Sequence, residues 1–331
     1  MLVVDDQIPH LAAALSAIDT VRAVPARSIT NDLLRTTQAT AVFVRSVIRV
    51  NADLLNGTNV TFVGTATAGV DHVDEAYLGA HNIRFASAPG CNANAVAEYV
   101  LDVLDMLSAP SNAVIGIIGM GHVGDRVARY ACQRGMSVLV NDPPLLESGR
   151  TFPPLLQHVT LPELLQRADV VTLHVPLTHD GPHPTYGMLD ADHLDMCRPN
   201  TLVINTSRGG VVDEFALAER VVSGRLHAVL DVYANEPQID ASIVERIPYC
   251  TPHIAGYTRQ AKEKGASMVY EAYTGQPWPP IAAPASTQSA SLFDADRSLM
   301  VRDFEAVRRL APLREERRYP PTWEECHVAR S

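Results

Sequence analysis

Lysine is nearly absent from this chain. Only Lys262 and Lys264 occur in 331 residues. Schiff-base chemistry would have to use one of those two neighbouring side chains. Positive charge as a whole is in deficit, with 27 Lys and Arg against 37 Asp and Glu and a formal net charge of −10. That argues against general binding to nucleic acid or to an anionic membrane, both of which need a basic face. It leaves room for a small anionic substrate held by a few arginines. The five cysteines, Cys91, Cys132, Cys197, Cys250 and Cys326, are odd in number and contain no CxxC pair. A disulfide framework and a zinc site are therefore not expected, and a reducing compartment is. No run approaches the ~20 apolar residues of a membrane span. Met1–Asp6 has no basic stretch leading into an apolar core, so no signal peptide is expected and the cytoplasm is the expected location. His72, His174, His179 and His183 match no ligand spacing, so no metal is expected.

Material for packed cores is ample: 47% of residues are hydrophobic and 19% charged. The length allows two domains at roughly 100–200 residues each. Short apolar runs at Leu2–Val4, Val21–Val24, Ala41–Val44, Phe62–Val63 and Ile83–Ala86 read as buried strands separated by helical stretches. The rhythm returns at Val114–Ile118, Val138–Val140, Val170–Leu173, Leu202–Ile204 and Ala228–Leu230. Helical spacing marks Val123–Gln133, Leu161–Arg167 and Glu214–Val222. The fold class is therefore α/β, with two doubly wound parallel sheets. Between them, Asn92–Leu107 reads as one amphipathic helix with Asn92 or Asn94 as its N-cap. Gly275–Ser291, rich in Pro, Ala and Ser, reads as a linker. The closely mixed charges of Asp294–Arg330 read as a solvated amphipathic helix.

Ile115–Gly124 contains Gly119-Met120-Gly121-His122-Val123-Gly124, a GxGxxG pattern. Alone it is a weak signal, but here it follows a strand and opens a helix. Gly119 suits a tight turn, Gly121 a close approach to a pyrophosphate, and Gly124 close packing of helix on strand. His122 and Val123 open a helix whose free N–H groups favour phosphate. Asp142 lies 18 positions after Gly124, at the end of the next strand. A carboxylate there accepts from both ribose hydroxyls and repels a 2′-phosphate, which selects NAD over NADP. The lesser alternative is that Asp142 merely caps the strand before Pro143-Pro144.

Three later stretches each follow an expected strand and so fall at the carboxyl edge of the sheet: Asn205–Gly209, Asp231–Pro237 and Thr251–Tyr257. Oxidation of a 2-hydroxyacid needs a planar cation for the carboxylate, a base for the hydroxyl proton and a carboxylate to orient that base. Arg208, His253 and Glu236 supply one of each. Taken singly, each reads as structural, a buried ion pair plus a core histidine; taken together, behind the glycine pattern, they read as catalytic.

Gly116–Gly124, Asn205–Gly209 and Asp231–Pro237 together resemble the D-isomer-specific 2-hydroxyacid dehydrogenase family. A narrower likeness, to its branch acting on 4-phospho-D-erythronate, runs through Ala23–Arg27, Val44–Val47, Val63–Asp74, Ala88–Ala93, Asp180–Pro182 and His253–Thr258. The resemblance implies a Rossmann NAD-binding domain at 93–254, inserted in a flavodoxin-like substrate domain formed by 1–92 and 255–280, with the site in a cleft between them. It also implies a linker and a shortened dimerisation-like segment at 281–331, and a homodimer. Ser46, Thr67 and Tyr257 would contact substrate. Asp142, Asp231, Gly256 and the backbone of Thr206, Ser207 and Arg208 would contact NAD. Val175 stands where that branch has Thr beside the cofactor. Arg45 is the candidate for the substrate phosphate, the alternative being a salt bridge within its own domain. The activity implied is NAD-dependent oxidation at C2. A relative acting on 3-phosphoglycerate or another D-2-hydroxyacid, or an NAD-responsive binding protein of the same fold, are the alternatives.

Overall fold

The computed structural model describes residues 1–280, 297–302, 304, 308, 311, 313–316 and 320–328. They fall into two compact units. One comprises Met1–Asn92 and the segment resuming at Tyr257, the other Ala93–Gly256 and the described residues beyond 296.

In the first unit, β1 (Leu2–Asp5), β2 (Val21–Val24), β3 (Ala41–Val44), β4 (Phe62–Thr65) and β5 (Arg84–Ala86) form a parallel sheet. Its order, β2-β1-β3-β4-β5, is the flavodoxin-like one. Val3, Val42, Val44 and Val63 join one apolar cluster, and Leu2, Val4, Phe43 and Phe62 another. This alternation follows from the two-residue period of a strand, and burial of both faces explains why these strands read as continuous apolar runs. The helix Arg259–Thr274 returns to this unit, placing Ala266, Val269 and Tyr270 in the cluster around Leu2 and Phe43. Its Cys91-facing Gly265 leaves no room for a side chain, since a Cβ would stand 2.6 Å from the Ala66 carbonyl.

The second unit holds β6 (Val114–Ile118), β7 (Ser137–Asn141), β8 (Leu156–His158), β9 (Val170–Leu173), β10 (Leu202–Asn205), β11 (His227–Leu230) and β12 (Tyr249–Cys250). All pair in parallel, in the order β8-β7-β6-β9-β10-β11-β12. This is the Rossmann arrangement extended by one strand, and its topological switch lies between β6 and β9. Val171, Leu173, Val203 and Leu230 pack in one cluster, and Ile115, Ile117, Ile204 and Val229 in the other.

Three expectations need correction. β8 and β12 are two further strands, both at sheet edges and three and two residues long. The helix after Asn92 spans Ala93–Met106, so Asn94 lies inside it rather than capping it. The Asn94 amide instead donates to Glu316 at 2.8 Å, and its oxygen accepts from the Tyr130 hydroxyl at 3.1 Å. The C-terminal segment is not one solvated helix. It contains the short helices Arg297–Arg302 and Trp323–Val328, and Met300, Phe304 and Cys326 are buried in the second unit's core. The expected linker starts where the helix Arg259–Thr274 stops at Gly275, and its residues 281–291 lie outside the described residues.

Gly124 is the contact that seats the helix His122–Gln133 on its strand: a Cβ there would stand 2.1 Å from the Gly119 carbonyl oxygen. Gly124→Ala is expected to cost about 1–3 kcal/mol through overpacking. Thermal unfolding would register this as a fall in Tm of several degrees, and an unchanged Tm would contradict the packing argument.

Candidate active site

All the residues singled out in the second unit follow carboxyl ends of strands in one sheet. Gly119 follows β6, Asp142 follows β7, and His174 and Val175 follow β9. Arg208 follows β10, Glu236 follows β11 and His253 follows β12. A parallel sheet forces this, since every strand points the same way.

At β6 the chain turns through Gly119, whose φ of +90° favours glycine. Gly121 precedes the helix that His122 and Val123 begin, and nothing lies within 4 Å of where its Cβ would be. The Asp142 carboxylate is already partly used. One oxygen caps the helix Pro143–Glu147 through the Leu145 N–H at 3.0 Å, and the other accepts the Met120 N–H of the glycine loop at 2.7 Å. The two readings of Asp142 are thus compatible: capping fixes the carboxylate beside the turn. A cavity of about 1080 Å³ opens here, lined by Gly119, Gly121, Asp142, His174, Val175 and Pro176 among others. Loss of solvent pushes the His174 imidazole down to about 3, so it is neutral at physiological pH. Its Nδ1 and the Thr206 hydroxyl are buried without a hydrogen-bond partner among the described residues.

The turn after β10 is shaped by buried Asn205, which accepts the Ser207 N–H and hydroxyl at 3.0 and 2.8 Å and donates to the Arg208 carbonyl at 3.0 Å. This is an Asx-type turn, and it presents Arg208 half-buried, with one guanidinium N–H on the Ser207 carbonyl at 2.8 Å. Gly209 packs directly on the next loop: a Cβ would stand 1.9 Å from the Tyr233 carbonyl. Glu214, not anticipated from sequence, joins the same two loops. Its carboxylate accepts the Ala234 N–H at 2.6 Å and a further backbone hydrogen bond from Gly210.

His253 Nδ1 and Glu236 Oε2 are 2.7 Å apart, and the other Glu236 oxygen accepts the Tyr233 N–H at 2.9 Å. Burial pushes the Glu236 carboxyl up, but the adjoining His253 and these hydrogen bonds more than offset it and hold the carboxyl below its usual range. An ionised carboxylate can only accept, so His253 Nδ1 carries the hydrogen and Nε2 is left as the base. His253 itself has a φ of +56°, a conformation that L residues seldom adopt. Asp231, expected as a cofactor contact, is fully buried. Its carboxylate accepts the Thr251 hydroxyl at 2.6 Å and the Ile254 and Ala255 N–H groups at 2.7 and 2.8 Å. It orders the chain between His253 and Gly256.

In the first unit, Arg45 is committed to buried Asp5 by a two-pronged pair at 2.8 and 3.3 Å. The salt bridge within its own domain, the alternative for Arg45, is thus observed. Ser46 is exposed. Thr67 bonds the Thr65 hydroxyl at 2.8 Å and the Gly69 carbonyl at 3.0 Å. The Tyr257 ring lies 3.7 Å beneath the Lys262 ammonium. The histidines considered for metal have other partners: His72 meets Thr65, His174 meets Thr172, His183 meets Glu147, and His179 packs on Tyr186.

Burial raises the Glu214 carboxyl from 4.5 to about 7. Between those values the folded chain holds a proton that the unfolded chain has released, so stability falls as pH rises through that window. Glu214→Gln keeps an acceptor for Ala234 but cannot ionise. It is expected to flatten that part of the Tm-against-pH curve, and an unaltered slope would show that Glu214 does not titrate there.

Residues 93–255 match the model of the D-isomer specific 2-hydroxyacid dehydrogenase NAD binding domain. Erythronate-4-phosphate dehydrogenases of Klebsiella pneumoniae and Salmonella newport are each 42% identical to the chain over 279 residues, covering 82% of it and 72% of their own length. Among solved structures, the TT0316 protein of Thermus thermophilus superposes with a TM-score of 0.69 at 25% identity, over 84% of this chain and 98% of that one. A D-lactate dehydrogenase of Aquifex aeolicus, complexed with NAD and lactic acid, shares the fold at a TM-score of 0.67 and 23% identity, over 83% and 96% of the two chains. The chain belongs to the D-isomer-specific 2-hydroxyacid dehydrogenase family and, within it, to the branch of the erythronate-4-phosphate dehydrogenases.

Proposed function

We propose that this chain oxidises 4-phospho-D-erythronate at C2 to 2-oxo-3-hydroxy-4-phosphobutanoate, with NAD as acceptor, in pyridoxal phosphate biosynthesis. The observation that carries the reading is the Glu236–His253 pair at 2.7 Å, on the same sheet edge as the glycine loop. Bound NAD would supply a nicotinamide that accepts hydride from C2. His253 Nε2 takes the proton of the C2 hydroxyl, and Glu236 stabilises the imidazolium so formed. Arg208 holds the substrate carboxylate with its planar fork.

The donor set fits the dinucleotide. Gly119, Gly121, His122, Val123 and Gly124 would receive the pyrophosphate, and Asp142 the ribose, since each of its oxygens keeps a lone pair beyond its present hydrogen bond. The Thr206 hydroxyl and His174 Nδ1, which have no hydrogen-bond partner among the described residues, would be satisfied by a polar ligand, as buried polar atoms require. Val175, Ser207 and Gly256 complete the cofactor side. Asp231 acts through the Ile254 and Ala255 amides rather than through an open oxygen. Ser46, Thr67 and Tyr257 would meet the substrate. The odd count of five cysteines, all of them buried, supports a reducing, cytoplasmic setting.

Full-length protein is expected to reduce NAD with 4-phospho-D-erythronate in strong preference to 3-phosphoglycerate. In His253→Gln, kcat should fall by about 10²–10⁴ while NAD affinity is nearly kept. Preference for 3-phosphoglycerate would overturn the substrate, and full turnover by the variant would overturn the proton carrier.

A further inference from the structure

The C-terminal segment reaches both loops that carry the Glu236–His253 pair. Phe304, buried, stands edge-on to the Tyr233 ring at 5.9 Å, and the Tyr233 N–H is the one that holds Glu236 Oε1. The positive charge of Arg308 adds to the field that keeps Glu236 ionised. Ten residues after Phe304, Arg314 enters the protein with its side chain only 11% exposed. Its guanidinium donates to the Ala255 carbonyl, with the Ala95 and Ile254 carbonyls at 3.3 and 3.5 Å. It lies over the Tyr99 ring at 5.6 Å and 4.0 Å from the Asp102 carboxylate. Two residues on, Glu316 accepts the Asn94 amide at the start of the helix Ala93–Met106.

Burying an arginine costs free energy unless its N–H groups find fixed acceptors. Here Nη2 finds backbone carbonyls, those of Ala95 and of the two residues directly after His253, while Nε is buried without a hydrogen-bond partner among the described residues. The same residues, Ile254 and Ala255, give their N–H groups to Asp231. One stretch of backbone is therefore gripped by a carboxyl group at its N–H groups and by a guanidinium at its carbonyls. His253, directly before it, holds a φ of +56°, which the surroundings must maintain.

We propose that the segment bearing Phe304 and Arg314 is a positioning strap for the Glu236–His253 pair, in which Arg314 fixes the backbone from which His253 projects. The segment does this within its own chain, by packing on its own Rossmann unit. The proposal rests on the reading of His253 as the proton carrier, so His253→Gln accompanies the test.

In full-length Arg314→Met and Arg314→Gln, folded as judged by their melting curves, kcat is expected to fall about 10- to 100-fold, the scale on which small misplacement acts. KM for NAD should stay within about twofold. Arg314→Lys, which can still donate to Ala255, should recover much of the loss. Added guanidinium ion should restore part of the Arg314→Met turnover and none of that lost in His253→Gln. Folded Arg314→Gln turning over at the unsubstituted rate would overturn the strap. So would failure of both neutral variants to fold, because Arg314 would then be a folding requirement and not a positioning residue. Undiminished turnover by His253→Gln would sink the underlying reading whatever the Arg314 variants do.

Discussion

The hydrogen bond between Glu236 and His253 constrains the chemistry of this molecule more than any other contact. At 2.7 Å, with the carboxyl held below its usual range, it decides which imidazole nitrogen bears hydrogen and which can take a proton. Neither residue achieves this alone. Each sits on a loop without regular structure, and each loop is tied down by its own set of polar contacts.

Those ties share a pattern. Asp231 grips the amides after His253, Glu214 grips the Ala234 amide of the Glu236 loop, and Asn205 grips the turn that presents Arg208. In each case a buried carboxylate or amide serves backbone N–H groups that no strand or helix satisfies, as buried loops demand. Close packing adds to this at Gly209, where the Arg208 turn lies against the Tyr233 carbonyl with no space for a side chain. The desolvation that raises the Glu214 carboxyl to about 7 is the cost of one such tie. The parallel sheet sets the loops side by side, and the buried acids set their conformation.

Much of this was legible from sequence because the signals were local. Continuous apolar runs marked strands buried on both faces, and helical spacing gave Leu161–Arg167 and Glu214–Val222 with the ends observed. The glycine pattern was readable for the same reason: strand, turn and helix are contiguous. What could not be read depends on partners distant in sequence. β8 and β12 are edge strands of three and two residues, too short to show a period and recognisable only through the neighbours they pair with. Arg45 looked available until Asp5, forty residues earlier, took its guanidinium. Glu214 merely opens a helix in the sequence, and its role emerges only from contact with Ala234. The C-terminal charges suggested a solvated surface, whereas Arg314 is drawn inward by carbonyls more than fifty residues away. Its one sequence clue was the apolar residues Met300 and Phe304 among those charges.

The ¹⁵N NMR spectrum of the imidazole of His253, assigned by comparison with His253→Gln, tests the central pairing most directly. Nδ1 is expected to be protonated in the neutral ring, and Glu236→Gln is expected to remove this preference. A neutral ring with its hydrogen on Nε2, or a spectrum indifferent to Glu236, would contradict it.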